Sequence, residues 1–283
     1  MRAVTTLIVN ADDFGLSDAI NAGIVEAHRD GIVTSTTWLA EGDAAEAAVE
    51  RAAACPRLDV GLHLALSDTR PSGDPAPFRS LLDADGRRAS GFVPLMRWMR
   101  SRRDALTVVH AEWRAQLDRF QRLWGRLPTH LDSHQHLALV PGLQVVLVEL
   151  ARESGVPALR VPQEVRGPRD VRAPRAWHRP HETLVLSALA RSLRRRARRA
   201  GLAAPRSFAG FRLSGRVDEA ALLALLPRLG ARTGTVELMT HPGAADEPGG
   251  YRRRAERDAL TSPAVRAALD SSGLALGRFS DLT

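Results

Sequence analysis

The chain contains no lysine; all forty of its basic residues are arginine. So complete a bias belongs to coding composition, and the formal charge of +8 is therefore discounted as a sign of nucleic-acid binding. A single cysteine, Cys55, excludes an intrachain disulfide and fits a reducing compartment. No stretch approaches the ~20 apolar residues that cross a bilayer. The apolar run behind Arg2 is too short for a secretory signal, and the expectation is a soluble, cytoplasmic protein. At 283 residues the length admits one α/β barrel or two smaller domains.

What is present begins with Leu7-Ile8-Val9-Asn10-Ala11-Asp12-Asp13-Phe14-Gly15, an apolar run that ends in two adjacent carboxylates. The aliphatic residues predict a strand buried on both faces. A turn should follow, then a helix with Ser17 as N-cap, running to about Asp30 and stopped by Gly31. Asp12 and Asp13 would then stand at the carboxyl end of a core strand, where α/β proteins build their sites. Two neighbouring anions repel, so they call for a cation or a shared proton. The plain alternative makes one a turn former and the other a partner of the helix dipole.

Strands and helices then alternate. Val33 to Ala40 predicts a strand, Ala44 to Ala54 a helix and Asp59 to Leu66 a third strand, an order that implies parallel pairing and right-handed crossovers. From Ser67 to Gly91 the pattern lapses into a connection long enough to be a functional flap. Asp104 to Trp124 is amphipathic, with Leu106, Val109, Trp113, Leu117 and Phe120 toward the sheet. If 128–136 is extended, His130, Asp132, His134 and His136 project to one side, a set suited to metal binding or acid–base chemistry. His63 alone specifies no ligand site.

Pro141-Gly142 precedes a helix to about Ser154, and Ala158 to Pro162 predicts a short strand. Residues 163–181 are rich in Pro and Arg and show no periodicity. Leu184 to Ala200 is helical, with Leu186, Leu189, Ala190 and Leu193 on one side and Arg191, Arg194, Arg195, Arg198 and Arg199 largely on another. That basic run is either a solvated face or a contact with an anionic lipid or nucleic-acid surface. Val217 to Leu229 is a further helix, and Thr235 to Gly243 repeats the first theme, a core strand leading to His241.

Asn-Ala-Asp-Asp-Phe-Gly at 10–15, Gly-Ile-Val-Thr-Ser-Thr-Thr at 31–37, Gly-Leu-His at 61–63, Thr-His-Leu-Asp-Ser-His-Gln-His at 129–136 and Thr-His-Pro at 240–242 resemble the motifs of the YdjC-like (ChbG-type) carbohydrate deacetylases, in the same order. The match is much weaker over about 165–232. Leu-Arg-Val-Pro-Gln-Glu at 159–164 and the arginine-rich helix are similar to the hopanoid-biosynthesis-associated branch, HpnK. The resemblance implies an irregular, TIM-barrel-like (β/α) barrel of parallel strands with its site at their carboxyl ends. It implies one domain over 1–283, elaborated around 163–232. It further implies one divalent metal ion, Zn2+ or Mg2+, held by Asp13, His63 and His134, with Asp12 as general base and His241 as general acid.

Such a set suits amide hydrolysis: three protein ligands leave positions open for water and an acetyl oxygen. The implied substrate is an N-acetylated amino sugar, as an oligosaccharide or a glycolipid. No nucleic acid is expected, while peripheral membrane contact and a homodimer stay open. His130 and His136 are either partners that orient the ligands or strand residues only. Arg160, at a strand end, is placed to pair with Asp12. Trp38, Trp98 and Trp177 are either sugar-stacking or core residues. Two rivals remain: another metal hydrolase such as a phosphoesterase, and a basic protein that binds membrane or nucleic acid through the arginine-rich helix.

Overall fold

The amino-terminal apolar run forms β1 (Thr5–Phe14), and the sheet is laid out on either side of it. The structure, a computed structural model, describes residues 4–165, 180–246 and 250–283, without the side chains of 180–184. Every named pairing is parallel. On one side β2 (Ser35–Trp38) meets the upper half of β1, and β3 (Asp59–Leu64) and β4 (Leu131–Ser133) follow outward. On the other, β6 (Thr235–Thr240) runs beside residues 6–11, with β5 (Ser207–Ala209) beyond it. β7 (Leu274–Gly277) pairs with Thr5 to Ile8, below the point where β2 takes over. Leu159 bridges Leu131 of β4 and Glu164 bridges Phe208 of β5, so the stretch after β4 joins the two edges of the curled sheet. This is the irregular α/β barrel the motifs implied.

Around it lie α1 (Asp18–Arg29), α2 (Ala45–Ala53), α3 (Phe92–Ser101), α4 (Ala105–Trp124), α5 (Leu143–Ser154), α6 (Pro180–Arg199), α7 (Glu219–Gly230), α8 (Arg253–Thr261) and α9 (Pro263–Ser271). Local chemistry sets their starts. Ser17 accepts the Ile20 N–H and Asp218 accepts the Ala221 N–H, each satisfying a donor that a helix end leaves free. Alternation along β1 sends Leu7, Val9 and Ala11 into the main core between sheet and helices. Ile8 points the other way and packs with Ala158 and Phe279 inside the barrel.

Several expectations need correction. The predicted strand over 128–136 is extended only at Leu131–Ser133; a 3₁₀ turn covers His134–Leu139, with Gln135 and His136 both left-handed at φ 53° and 54°. Ser133 ends the strand by accepting the Ala138 N–H at 2.9 Å, so the four residues do not share one strand face. In α4, Val109, Trp113, Leu117 and Phe120 are buried, but Leu106 is 42% exposed and lies over Gly142. β5, β7, α3, α8 and α9 carried no prediction. Arg194 does not join the solvated face of α6, because its Nε donates to Gln163 and its Nη1 to the Pro205 carbonyl. The proline- and arginine-rich stretch 163–181, with Trp177, lies mostly outside the described residues.

Candidate active site

Adjacent residues of a regular strand face opposite ways, yet Asp12 and Asp13 both line one cavity of about 580 Å3. The cause is a break in register between Ala11 and Phe14, where Asp13 takes φ +71° and turns its side chain to the same end of the barrel as Asp12. Each carboxylate has its own guanidinium. Arg160 donates to both oxygens of Asp12 at 2.6 Å, and Arg253 Nη2 donates to Asp13 Oδ2 at 2.7 Å. Burial opposes ionisation of both carboxyls, but Arg160 with His63 and His241 at Asp12, and Arg253 with His134 and His241 at Asp13, together outweigh it and hold each well below the usual carboxylate range. Both are anions at neutral pH, and Oδ1 of Asp13 remains turned toward the histidines.

His63 comes from β3 and His134 from the turn after β4. Asp13 Oδ1 is 3.7 Å from His63 Nε2 and 3.4 Å from His134 Nδ1, and the two nitrogens are 3.3 Å apart. Donors held ~2.0–2.1 Å from one tetrahedral ion stand about 3.3–3.4 Å apart. An Asp-His-His set at this spacing therefore fits a divalent cation. The far nitrogen of each ring also meets a carboxylate: His63 Nδ1 lies 2.6 Å from Asp132 Oδ1, and His134 Nε2 lies 3.5 Å from Asp68 Oδ2. Burial lowers the affinity of His134 for a proton, but Asp13 and Asp68 reverse this and push its pKa up to about 10 without an ion.

His241 follows β6 and completes the far wall. Its Nε2 is 4.0 Å from Asp12 Oδ2, its ring meets Tyr251 edge to face at 4.9 Å, and its backbone N–H donates to Glu256 at 2.6 Å. Burial holds it neutral, with a pKa lowered to about 4, and its Nδ1 has no partner among the described residues. Beneath the cavity Arg160 also contacts Asp132 Oδ2 at 2.5 Å and Glu237 Oε1 at 2.6 Å, so one guanidinium serves three buried carboxyl groups.

The candidate residues thus separate. Asp12, Asp13, His63, His134 and His241 line the same cavity, and His136 joins them half-buried on its wall. His130 lies deeper, stacked on Phe279 at 3.5 Å and against Gly61, where any side chain would collide with its ring. Trp38 packs against Phe120 and Trp124, and Trp98 stacks on Phe78, so both are core residues. Sequence reasoning passed over Arg253, Asp68, Glu256 and Tyr251. Only Tyr251, the one tyrosine in the chain, had a compositional signal.

Residues 6–271 match the family described as YdjC-like protein. A chitooligosaccharide deacetylase of Klebsiella pneumoniae (strain 342) is 32% identical over 283 residues, covering 98% of each chain. One from Serratia marcescens is 32% identical over 286 residues with the same coverage. Among solved structures, a protein of Enterococcus faecalis V583 provisionally assigned to cellobiose-phosphate cleavage is 28% identical, with a TM-score of 0.75 and full coverage of both chains. An uncharacterized protein from Agrobacterium tumefaciens C58 shares the fold alone, at 16% identity and a TM-score of 0.51 over all of this chain and 90% of its own.

Proposed function

Since the chain belongs to the YdjC-like protein family, we propose that it is a carbohydrate deacetylase that hydrolyses the N-acetyl group of an amino sugar with the help of one divalent ion. The observation that carries the reading is the meeting of Asp13, His63 and His134, from three separate stretches of chain, with donor atoms 3.3 to 3.7 Å apart. These three side chains would hold the ion, which would supply Lewis acidity toward the acetyl carbonyl and lower the pKa of water. Two imidazoles and one carboxylate form a donor set that favours zinc over magnesium.

The side chains divide the remaining work. Asp12, kept ionised by Arg160, accepts the proton of the attacking water. His241 is neutral at rest and stands 4.0 Å from Asp12, so it can take up that proton and deliver it to the departing nitrogen. Tyr251, Phe211 and His136 give the cavity walls on which a sugar ring can lie. Against the phosphoesterase reading, the Arg160 guanidinium fills the space between Asp12 and Asp132, the second group of potential ligands, so a second ion has no vacant place there.

The test is acetate release from N,N′-diacetylchitobiose by the metal-stripped and the zinc-loaded protein. Stripping should abolish release, and zinc should restore it at about one ion per chain. His241→Ala should lower kcat by about 10²–10⁴ with zinc stoichiometry unchanged. Release that survives stripping, or a His241→Ala enzyme as fast as the parent, overturns the mechanism.

A further inference from the structure

Asp68 reaches the metal-ligand cluster from the connection at 67–91 and not from a strand end. His134 spans two partners: its Nδ1 faces Asp13 and His63, and its Nε2 faces Asp68 Oδ2 at 3.5 Å. His63 is held in the opposite sense, with Nε2 toward the cluster and Nδ1 on Asp132 at 2.6 Å. A ligating imidazole is fixed in tautomer and orientation by the carboxylate on its other nitrogen. Asp132 does this for His63 from within the sheet. Asp68 stands in the corresponding place for His134, but on the flap.

The flap is itself tied down. Asp68 has φ +61°, unusual for a residue other than glycine, and its N–H donates to the Arg88 carbonyl at 2.9 Å. Arg88 returns a bond to Thr69 and places its guanidinium on Glu112 of α4 at 2.8 Å, both side chains being buried. Glu112 also accepts the N–H groups of Ser72 and Gly73. Gln135, beside His134, donates to Asp68 Oδ2 at 2.8 Å. Asp68 is therefore the point where a connection anchored on α4 meets the side chain that would hold the ion.

We infer that Asp68 is the positioning residue of His134, and that it makes occupancy of the ion site and ordering of the 67–91 connection a single linked equilibrium. The inference rests on Asp13, His63 and His134 being the ligands. Linkage runs both ways: an ion that fixes the His134 ring steadies the connection, and loosening the connection weakens the hold on the ion by the same factor. Because part of the cavity wall, Asp68, Thr69 and Ser90, belongs to this connection, the metal-loaded protein presents a more ordered sugar site than the stripped one.

The test uses the full chain, stripped of metal, titrated with Zn2+ against a chromophoric chelator, with amide hydrogen exchange followed across 67–91. Asp68→Ala should weaken zinc binding by about 10- to 100-fold and remove the protection that zinc confers on 67–91 in the parent. Asp68→Asn, which keeps an acceptor oxygen for the imidazole N–H, should recover most of both. Zinc affinity and zinc-induced protection equal to the parent in Asp68→Ala overturn the inference. So does equal loss of protection with and without zinc at unchanged affinity. Zinc binding that persists in His63→Ala and His134→Ala overturns the ligand assignment itself, and the inference falls with it; zinc loss in those two variants alone overturns only the role of Asp68.

Discussion

Asp12 and Asp13 are a costly pair to bury, and the protein meets the cost by giving each a guanidinium of its own. Elsewhere in the site the balance differs. Burial pushes Glu237 and Glu256 up to about 7, and neither the Arg160 guanidinium on the first nor the Val217 and His241 N–H groups and Arg253 on the second offset it. With folded pKa values raised, the stability these two groups contribute is fully present below the ordinary carboxyl range and is lost as pH rises through about 7. Relative to the parent, the Tm of metal-free Glu256→Gln should gain between about pH 5 and about pH 7.5; a difference that does not change with pH would remove Glu256 from the account. At this scale the sequence was half legible. Two adjacent Asp residues announce a need for positive charge, and Arg160 was marked by its place at a strand end. Arg253 lies 240 residues from Asp13 and is one of forty arginines, so nothing local distinguished it.

Among the elements, strands β1 to β3 and β6 and helices α1, α2 and α4 to α7 followed from period and turn signals, because Ser17 and the apolar runs act locally. The histidine segment misled for a physical reason. Its polar residues alternate as a strand's would, while the turn that overrides them depends on left-handed Gln135 and His136, and neither residue type advertises that backbone. The turn is what swings His134 toward His63. The connection at 67–91 was illegible for another reason: its anchor is a long-range buried pair, Arg88 with Glu112, and not a periodic pattern. Removing one member of such a pair strands the other charge. Glu112→Ala should destabilise the protein by about 3–5 kcal/mol in urea unfolding, and Glu112→Gln by less, because its one amide oxygen keeps an acceptor for Arg88 and Ser72. A Glu112→Ala midpoint equal to the parent's would show that the pair does not hold the flap.

Across the whole molecule, the barrel sets the cavity at the carboxyl ends of the strands and an apolar and aromatic plug of Ile8, Ala158, Phe279 and the His130 ring deeper inside. In α6, Leu186 lies near Phe211 of the cavity wall, while exposed Arg198 and Arg199 fall about 20 Å further along the helix. Among the described residues no helix is long and apolar enough to cross a membrane. Replacing Arg195, Arg196, Arg198 and Arg199 by serine should leave kcat/KM on N,N′-diacetylchitobiose within about twofold, as expected of surface changes remote from the chemistry. A larger loss in the acetate assay would tie the basic end of α6 to the site. The edge-to-face contact of Tyr251 with His241 has a practical side as well. Every phenol absorbance or Raman band of this chain originates in one ring of the cavity wall, an intrinsic optical label for occupancy that requires no engineering.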